Sequence, residues 1–434
     1  MPYPALPLTD APTRRQALAL DAADPLAPLR QQWLLPDRQG QDVAYFCGHR
    51  LGPPARMAAD QVATVLSQWH GHGMAGGQQG ANPWQASIVD AVNSGLADLL
   101  GATPAEVVAM AGLGTNLHLL LASFYRPSGQ RRAVVVEADC FTADRQVIAA
   151  QLALHGGDPQ QDLLVVPADP ASGLIDNDAL ATLLAETTGR VALVLWPGVH
   201  WRSGQAFDLA TITAQVHAAG AVAGFDLAHA VGSRQLALHD SGADFAVWCG
   251  YKHLSGGPGA PGGLFVHARH HGRVWPKLAG WWGHRQDTRF AQPDTFDPSP
   301  GAAGWQHSPP SPLALAPLAA SLAVFGSAGG MAPLQARAQR LDAWLRQQLS
   351  ALPGHPLVPC SAPGHYAPLT LRVRADRPLA SLISALDAAG VMVDPLDGRH
   401  LRLAIAPLYT SYLDLYRLLQ VIAIWSGQSP DTTT

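Results

Sequence analysis

Asp226 and Lys252 are the two side chains of this sequence whose types and spacing most directly indicate chemistry. Asp226 follows the apolar run 221–225, and Lys252 follows a second run, 244–248, just before a glycine-rich loop. Taken singly, each residue is more often a solvated strand end or a helix cap. Together they supply an amine that can hold an aldehyde as a Schiff base and a carboxylate that can keep a pyridine nitrogen protonated. The pair therefore predicts a site for pyridoxal 5'-phosphate (PLP).

The elements around these residues predict how they are brought together. Apolar strand candidates alternate with helix candidates, a pattern typical of a mainly parallel sheet covered on both faces. Ligands of such sheets bind beyond the carboxyl ends of the strands, so Asp226 and Lys252 should reach the same edge. The strand candidates are 133–136, 163–166, 191–195, 221–225, 245–248 and 263–266, and the helix candidates are 117–124, 143–153 and 212–219.

The character of the sequence changes near residue 311. A long Ala/Leu helix and an amphipathic helix are followed by alternating strand and helix patterns, which predict a small α+β domain. The predicted division is an N-terminal arm that contributes to the small domain at 1–56, a large PLP-binding domain at 57–310 and the small C-terminal domain at 311–434. The fold class is therefore predicted as α/β, with a mainly parallel sheet in the large domain.

The composition excludes several classes of protein. The chain has 434 residues, 48% of them hydrophobic and 14% charged, with a formal net charge of -4. This length predicts more than one hydrophobic core, and the absence of a basic patch argues against a nucleic-acid or anionic-membrane partner. The four cysteines lack paired spacing, which argues against a disulfide framework and a metal site. No run resembles a signal peptide or a membrane span, so a cytoplasmic location is expected.

Several strings carry a resemblance to a known family. They are GFDLAHAVG at 224–232, WCGYK at 248–252, GWWGH at 280–284 and APLY at 406–409. They resemble the corresponding strings of kynureninase and stand in the same order, and the likeness extends over 45–409. The resemblance implies a fold-type I PLP-dependent, transferase-like fold and a homodimer whose active sites are shared between subunits.

The resemblance also implies roles for the residues around the cofactor ring. Lys252 would hold the cofactor and shuttle protons, and Asp226 would pair with the pyridine nitrogen. His229 would lie near the ring or its hydroxyl, and Phe141 would stack on the ring through its π-face. Asp144 would hydrogen-bond nearby polar groups and could also cap the helix that follows it.

The phosphate of the cofactor needs donors, and the resemblance supplies them from three places. Leu113, Gly114 and Thr115 precede a predicted helix, whose N-terminal N–H groups favour an anion. Tyr251 would add a phenol, and Trp281 an indole N–H from the partner subunit. Tyr251 is also a candidate catalytic donor to the carbonyl of the substrate.

The predicted substrate-binding residues match the family at some positions and depart from it at others. Arg402 matches the arginine that binds the α-carboxylate, a role suited to the guanidinium fork. Trp282 and Ser308, or His307 beside it, would face the aromatic end of the substrate. His49 and Arg50 stand where the family commonly has Asn-Ser, and Arg50 could suit an acidic substituent if it points inward.

A second departure lies in the glycine-rich loop 70–82. Gly77 falls where an aryl-contacting histidine of the family is expected, and His70 or His72 could substitute only if the loop folds differently. These departures predict weak activity on L-kynurenine, better activity on a modified analogue, and a gain on L-kynurenine from Gly77→His.

The leading functional prediction is PLP-dependent hydrolytic cleavage of the Cβ–Cγ bond of kynurenine or a kynurenine-like γ-keto amino acid. The products would be an aryl acid and L-alanine, as in tryptophan catabolism. One alternative is a related lyase or β-eliminating enzyme that acts on another β-substituted amino acid. A second alternative is a PLP-binding protein without catalytic activity.

Overall fold

A seven-stranded sheet forms the centre of the protein in the computed structural model, which describes residues 13–38, 40–75, 83–352, 357–361, 363–364, 367–374 and 378–427. Five neighbouring strands are parallel, and Gly263–Val266 runs antiparallel to both of its neighbours. The mainly parallel sheet is therefore confirmed. From one edge to the other the strands are Val107–Ala109, Gly263–Val266, Phe245–Trp248, Val222–Asp226, Val191–Pro197, Ala133–Glu137 and Leu163–Val166.

The apolar side chains of these strands feed two hydrophobic clusters, one on each face. In Phe245–Trp248, Ala246 and Trp248 belong to one cluster, whereas Phe245 and Val247 belong to the other. This alternation is the period of two that an extended chain imposes on its side chains. Burial on both faces explains why the central strands are continuously apolar. The helices between the strands are Leu113–Phe124, Thr142–Leu154, Pro159–Asp162, Ala179–Glu186 and Leu209–Ala218.

A second, smaller sheet is entirely antiparallel and has its own hydrophobic cluster. Leu369 and Leu371 alternate with more polar residues along the strand Leu369–Val373, as the sequence predicts. The strands in order are Leu357–Pro359, Leu369–Val373, His400–Leu403 and Asp394–Pro395. The helices that accompany this sheet are Arg14–Ala23, Met331–Ala351, Leu379–Ala388 and Tyr412–Trp425.

The N-terminal segment connects the two sheets. Helix Arg14–Ala23 begins at a capping box formed by Thr13 and Gln16 and packs on Tyr412–Trp425. The strand Ala44–Tyr45 then pairs with Val391–Met392. The contribution of the arm to the small unit thus has a physical basis in backbone pairing. Its short elements are Ala27–Gln32, Asp37–Arg38 and Gln41–Asp42.

The helix Pro312–Ser327 packs with the large cluster and not with the small one. It lies against Ala58–His72 and Pro83–Leu100. The large cluster extends to Leu334 and the small one begins at Ala338, so the two cores divide within Met331–Ala351. The domain bounds given above stay a prediction. The remaining short helices are Pro104–Glu106, Ala268–His270, Trp281–Gly283, Arg289–Ala291 and Gly301–Trp305.

No described helix has, by itself, both the length and the hydropathy that a bilayer span requires. The helices Pro312–Ser327 and Met331–Ala351, which meet at 81°, reach both as a pair.

Candidate active site

Asp226 and Lys252 lie at the same edge of the large sheet. Asp226 is the last residue of Val222–Asp226, and Lys252 follows the neighbouring parallel strand Phe245–Trp248. Both line a cavity of about 380 Å³. Of the residues predicted to bind the cofactor, Leu113, Gly114, Thr115, Phe141, Asp144, Asp226, His229, Tyr251 and Lys252 line this cavity.

The loop that carries Lys252 is held by close backbone approaches. The N–H of Gly256 donates to the carbonyl of Gly250 over 2.8 Å. A Cβ at Gly250 would lie 2.0 Å from the carbonyl oxygen of Pro261, so a larger residue does not fit there. The N–H of Gly52 donates to Tyr251 O over 2.9 Å, which ties the N-terminal segment to the lysine loop. The backbone of the loop that carries Lys252 is thus held by contacts on both sides.

A neutral histidine lies next to the amine. Lys252 Nζ is 3.0 Å from His229 Nε2. Burial, and then the charge of Lys252, hold the pKa of His229 well below its usual range. Burial likewise lowers the pKa of His49 to about 4 and that of His253 to about 3. All three imidazoles are neutral at pH 7, so His229 Nε2 can accept a hydrogen bond from Lys252 Nζ.

Three acidic side chains surround the end of the strand that carries Asp226. Burial raises the pKa of Glu137 to about 8. Burial, and then the charge of Asp226, raise the pKa of Asp144 well above its usual range. Asp226 Oδ1 accepts the backbone N–H of Ala228 over 2.7 Å, a contact that stabilises a carboxylate. Glu137 keeps its proton at neutral pH, so it adds no negative charge beside Asp226.

The two remaining sides of the cavity offer an aromatic face and an anion-binding helix end. Phe141 is 44% exposed, and its ring centroid lies 5.9 Å from Lys252 Nζ. Helix Leu113–Phe124 begins after Gly112 without a side-chain cap in the described part of the chain. Its first N–H groups border the cavity, and a Cβ at Gly112 would meet nothing within 4 Å. Uncapped N–H groups at a helix N-terminus favour a phosphate.

These groups fit PLP in chemistry and in placement. The cavity offers an amine, a carboxylate, an aromatic face and a helix N-terminus, one for each part of the cofactor. Burial raises the pKa of Tyr251, so its phenol remains a donor at neutral pH. Two buried atoms, Asp144 Oδ1 and His229 Nδ1, have no hydrogen-bond partner among the described residues. Buried polar atoms are normally paired, which is consistent with a bound ligand.

Arg402 lies beside this cavity rather than in its wall. Its Nη1 donates to the carbonyl of Trp201 over 2.9 Å, and the side chain of Trp201 lines the cavity. Its Nε donates to Asp394 Oδ2 over 2.8 Å, and its Nη2 donates to the same oxygen. The carboxylate-binding role of Arg402 stays a prediction. Asp394 and Trp201 were not singled out from the sequence, because no local pattern marks them.

His49 and Arg50 are brought together with Arg402 through Asp394. His49 Nε2 lies 2.8 Å from Asp394 Oδ2, and Arg50 Nη1 donates to Asp394 Oδ1 over 2.8 Å. His49 is buried, whereas the side chain of Arg50 is 64% exposed. Neither residue lines the Lys252 cavity. Their assignment as substrate-binding residues stays a prediction, and their contacts point to an indirect role.

Trp281 and Trp282 line a different cavity, of about 520 Å³. Trp281 is 52% exposed, and its indole N–H donates to Arg289 O over 3.1 Å. Trp281 does not line the Lys252 cavity, and its predicted role in the site of a partner subunit stays a prediction. Ser308 is exposed and lines neither cavity.

The loop in which an aryl-contacting histidine is expected is only partly described. Gly77 lies outside the described residues. His70 and His72 end the helix Ala58–His72, and both are exposed. The predicted consequence of Gly77 for substrate binding therefore stays a prediction.

Solved structures with a similar fold include one that holds a PLP cofactor. A C-DES variant with glycine covalently linked to its PLP cofactor matches with a TM-score of 0.75 and 18% identity, covering 89% of this chain and 99% of that chain. The cysteine desulfurase CsdA from Escherichia coli matches with a TM-score of 0.73 and 18% identity, covering 92% and 97%. Identity this low shows the fold alone, and it confirms the predicted fold-type I class.

Sequence comparison identifies the family. Residues 56–411 match the aminotransferase class-V family. Kynureninase from Xanthomonas euvesicatoria pv. vesicatoria (strain 85-10) is 46% identical over 424 residues, 97% of this chain and 100% of the relative. Kynureninase from Xanthomonas campestris pv. campestris (strain B100) matches with the same identity and coverage. The predicted resemblance is therefore confirmed along almost the whole sequence, and the chain belongs to the kynureninase family within the class-V aminotransferases.

Proposed function

We propose that this protein hydrolyses the Cβ–Cγ bond of L-kynurenine or a close γ-keto analogue, giving an aryl acid such as anthranilate and L-alanine. The observation that carries the proposal is the identity of 46% over 97% of the chain with proteins named kynureninase. PLP is the cofactor. The groups around the Lys252 cavity supply what the reaction needs.

When bound, PLP provides an electron sink for negative charge at the α-carbon of an amino acid. Lys252 holds the cofactor at rest. The Lys252 amine would also be the base that removes the α-proton of the substrate. His229, 3.0 Å away, accepts a hydrogen bond from Lys252 and orients the amine. Asp226 keeps the pyridine nitrogen protonated, which its position at the strand end and the neutrality of Glu137 support.

The remaining steps concern the γ-carbonyl. Water adds to this carbon, the Cβ–Cγ bond breaks, and the acyl part leaves as the aryl acid. The bonding electrons stay with the β-carbon, which takes up a proton to become the methyl group of alanine. Tyr251 borders the cavity and retains its phenolic proton, so it is the proposed donor to the carbonyl oxygen. Arg402 is the proposed partner of the α-carboxylate.

We also propose that the protein is a homodimer in which Trp281 completes the site of the partner subunit. Several large apolar side chains are exposed on one chain: Trp69 by 58%, Met74 by 75%, Leu278 by 54% and Trp281 by 52%. Met74 and Trp281 line the same cavity, and a contiguous exposed apolar surface is typical of a protein interface. Sedimentation of the holoenzyme at micromolar concentration tests the proposal, and a monomer that retains PLP contradicts it.

Turnover of L-kynurenine and 3-hydroxykynurenine with identification of all products tests the proposed reaction. We expect L-alanine and the matching aryl acid in equal amounts. Pyruvate and ammonia in place of alanine would indicate β-elimination. An enzyme that binds PLP but releases no product from either substrate would contradict the proposal. A ring-substituted kynurenine that outperforms both would locate the change in specificity at the aryl end.

A further inference from the structure

The carboxylate of Asp394 joins two arginines and a histidine at one buried point. Asp394 is 2% exposed. Its Oδ2 receives His49 Nε2 at 2.8 Å and two donors of Arg402, and its Oδ1 receives Arg50 Nη1 at 2.8 Å. Although burial alone would raise the pKa of Asp394, the hydrogen bond from His49 and the charge of Arg402 hold it well below its usual range. Asp394 is therefore a permanent anion.

The hydrogen bonds of Arg402 to Asp394 and Trp201 use three of its N–H groups. Arginine has five N–H donors. Asp394 takes the donor on Nε and one on Nη2, and Trp201 O takes one on Nη1. Among the described residues, the second N–H of Nη1 and that of Nη2 have no hydrogen-bond acceptor. This is the set that a carboxylate needs for a two-pronged grip.

The charges at this point show why a second arginine matters. Asp394 alone would cancel the charge of Arg402 and weaken its attraction for an anion. His49 adds no charge at neutral pH, because burial lowers its pKa to about 4. Arg50 adds one positive charge, so the sum over Arg402, Arg50 and Asp394 is one positive charge. The cluster thus combines a fixed geometry for Arg402 with a net positive charge.

We propose that Asp394 is a shared counter-ion which orients Arg402, and that Arg50 offsets its charge and thereby strengthens binding of the α-carboxylate of an amino-acid substrate. This inference rests on the proposed function for the role of Arg402. Arg50 is a positioning and specificity residue, because it acts through Asp394 and its side chain is mostly exposed. The inference also gives Arg50 a role at the carboxylate rather than at the aryl end.

The test uses the holoenzyme and two small ligands that differ only in the carboxylate. L-Alanine carries the α-amine and the α-carboxylate, and ethylamine carries the amine alone. Titration of each ligand, followed by the absorbance of the bound cofactor, gives its Kd without any turnover. We expect Arg50→Gln to raise the Kd of L-alanine about two- to fivefold, the range for a partly exposed charge pair, and to leave that of ethylamine unchanged. The effect should shrink as salt is added.

Two further variants separate charge from structure. Arg50→Lys keeps the charge, so we expect it to retain most of the affinity for L-alanine. In an Asp394→Asn background the negative charge that pairs with Arg50 is gone, so Arg50→Gln should there have little further effect. Arg38→Gln is the matched control, because Arg38 forms an exposed pair with Asp387 at 2.6 Å. It should change neither Kd.

The inference is overturned if Arg50→Gln weakens both ligands equally, because the residue then only supports the fold. It is also overturned if the variant leaves the Kd of L-alanine unchanged, or if wild-type enzyme binds the two ligands equally well. Turnover of L-kynurenine is measured separately. If L-kynurenine is not turned over but L-alanine still binds better than ethylamine, the proposed reaction is wrong. The site then binds α-amino acids for another reaction.

Discussion

The cofactor end and the carboxylate end of the active site are built in opposite ways. Around Lys252 and Asp226, burial suppresses the charge of neighbouring groups, so that His229 and Glu137 are neutral at pH 7. Around Arg402, buried and exposed charges are paired through Asp394. The cofactor end thus needs the amine of Lys252 and the carboxyl group of Asp226 without further charged groups beside them. The end that binds the substrate carboxylate needs the guanidinium group of Arg402 held in one orientation.

Lys252→Ala should break the cofactor end completely. The sequence contains two lysines, Lys252 and Lys277, and Lys252 alone lines the cavity with Asp226. We expect loss of the cofactor absorption near the visible edge and a fall in kcat of more than about 1000-fold, with the fold intact. Absorption spectra, turnover and circular dichroism measure these effects.

Lys277→Ala is a demanding control for that variant. Burial lowers the pKa of Lys277 to about 8, so its amine is also reactive, but it lies over the ring of Trp305 in another cavity. The control should keep the absorption. A borohydride-reduced cofactor adduct that maps to Lys277 would show that the assignment of Lys252 is wrong.

Asp226→Asn should lower turnover without loss of the bound cofactor. The amide cannot hold a proton on the pyridine nitrogen, so the electron sink becomes poorer. We expect retention of PLP and a fall in kcat of roughly 100-fold, on the order of the loss of one preorganised electrostatic contact. A kcat close to that of the wild type would remove Asp226 from the mechanism.

Arg402→Lys should affect the carboxylate end and spare the cofactor end. An ammonium group cannot reproduce the fork that holds Asp394 and a substrate carboxylate together. We expect KM to rise about tenfold, with a smaller change in kcat and unchanged cofactor absorption, as for loss of a charge-assisted hydrogen bond. Arg372→Lys, at an exposed position on the neighbouring strand Leu369–Val373, should change nothing. Loss of cofactor absorption in the Arg402 variant would show that the two ends are not separable.

Glu137→Gln should give the smallest effect, a change in the pH dependence of Tm. It tests whether Glu137 is neutral in the folded protein. The folded-state pKa of about 8 lies above the ordinary value of 4.5. Protonated Glu137 therefore contributes stability that is fully present below pH 4.5 and is lost as pH rises through about 8. The glutamine variant should match the wild type at pH 5 and exceed it in Tm by roughly a few degrees at pH 9. Parallel Tm–pH curves for the two proteins would contradict this.

The sequence predicted the centre of the fold better than its edges. All six strand candidates are strands, because continuous apolar runs are the direct result of burial on both faces of the sheet. Val107–Ala109 was missed because three apolar residues carry little periodic signal and the strand pairs with the distant Gly263–Val266. Helix Ala179–Glu186 was not predicted either.

The same contrast holds for the active site. Asp226 and Lys252 follow recognisable strands, so their meeting was predictable from local pattern and sheet topology. Asp394 meets Arg402 through strand register, and it meets Arg50 across 344 positions of the sequence. No local pattern encodes such a contact. Arg50 was consequently expected at the aryl end, whereas its side chain lies on Asp394.

Gly52 has a consequence for how this protein can diverge. A Cβ at this position would lie 2.0 Å from Ser255 Oγ and 2.5 Å from Lys252 O, so mutation there would displace the catalytic loop. Two residues earlier, the side chain of Arg50 is mostly exposed and can be exchanged without such a displacement. One short loop thus contains Gly52, which cannot be replaced by a larger residue, and Arg50, which can be substituted. Substitutions at position 50 can therefore change the affinity for ligands while the loop that carries Lys252 keeps its position.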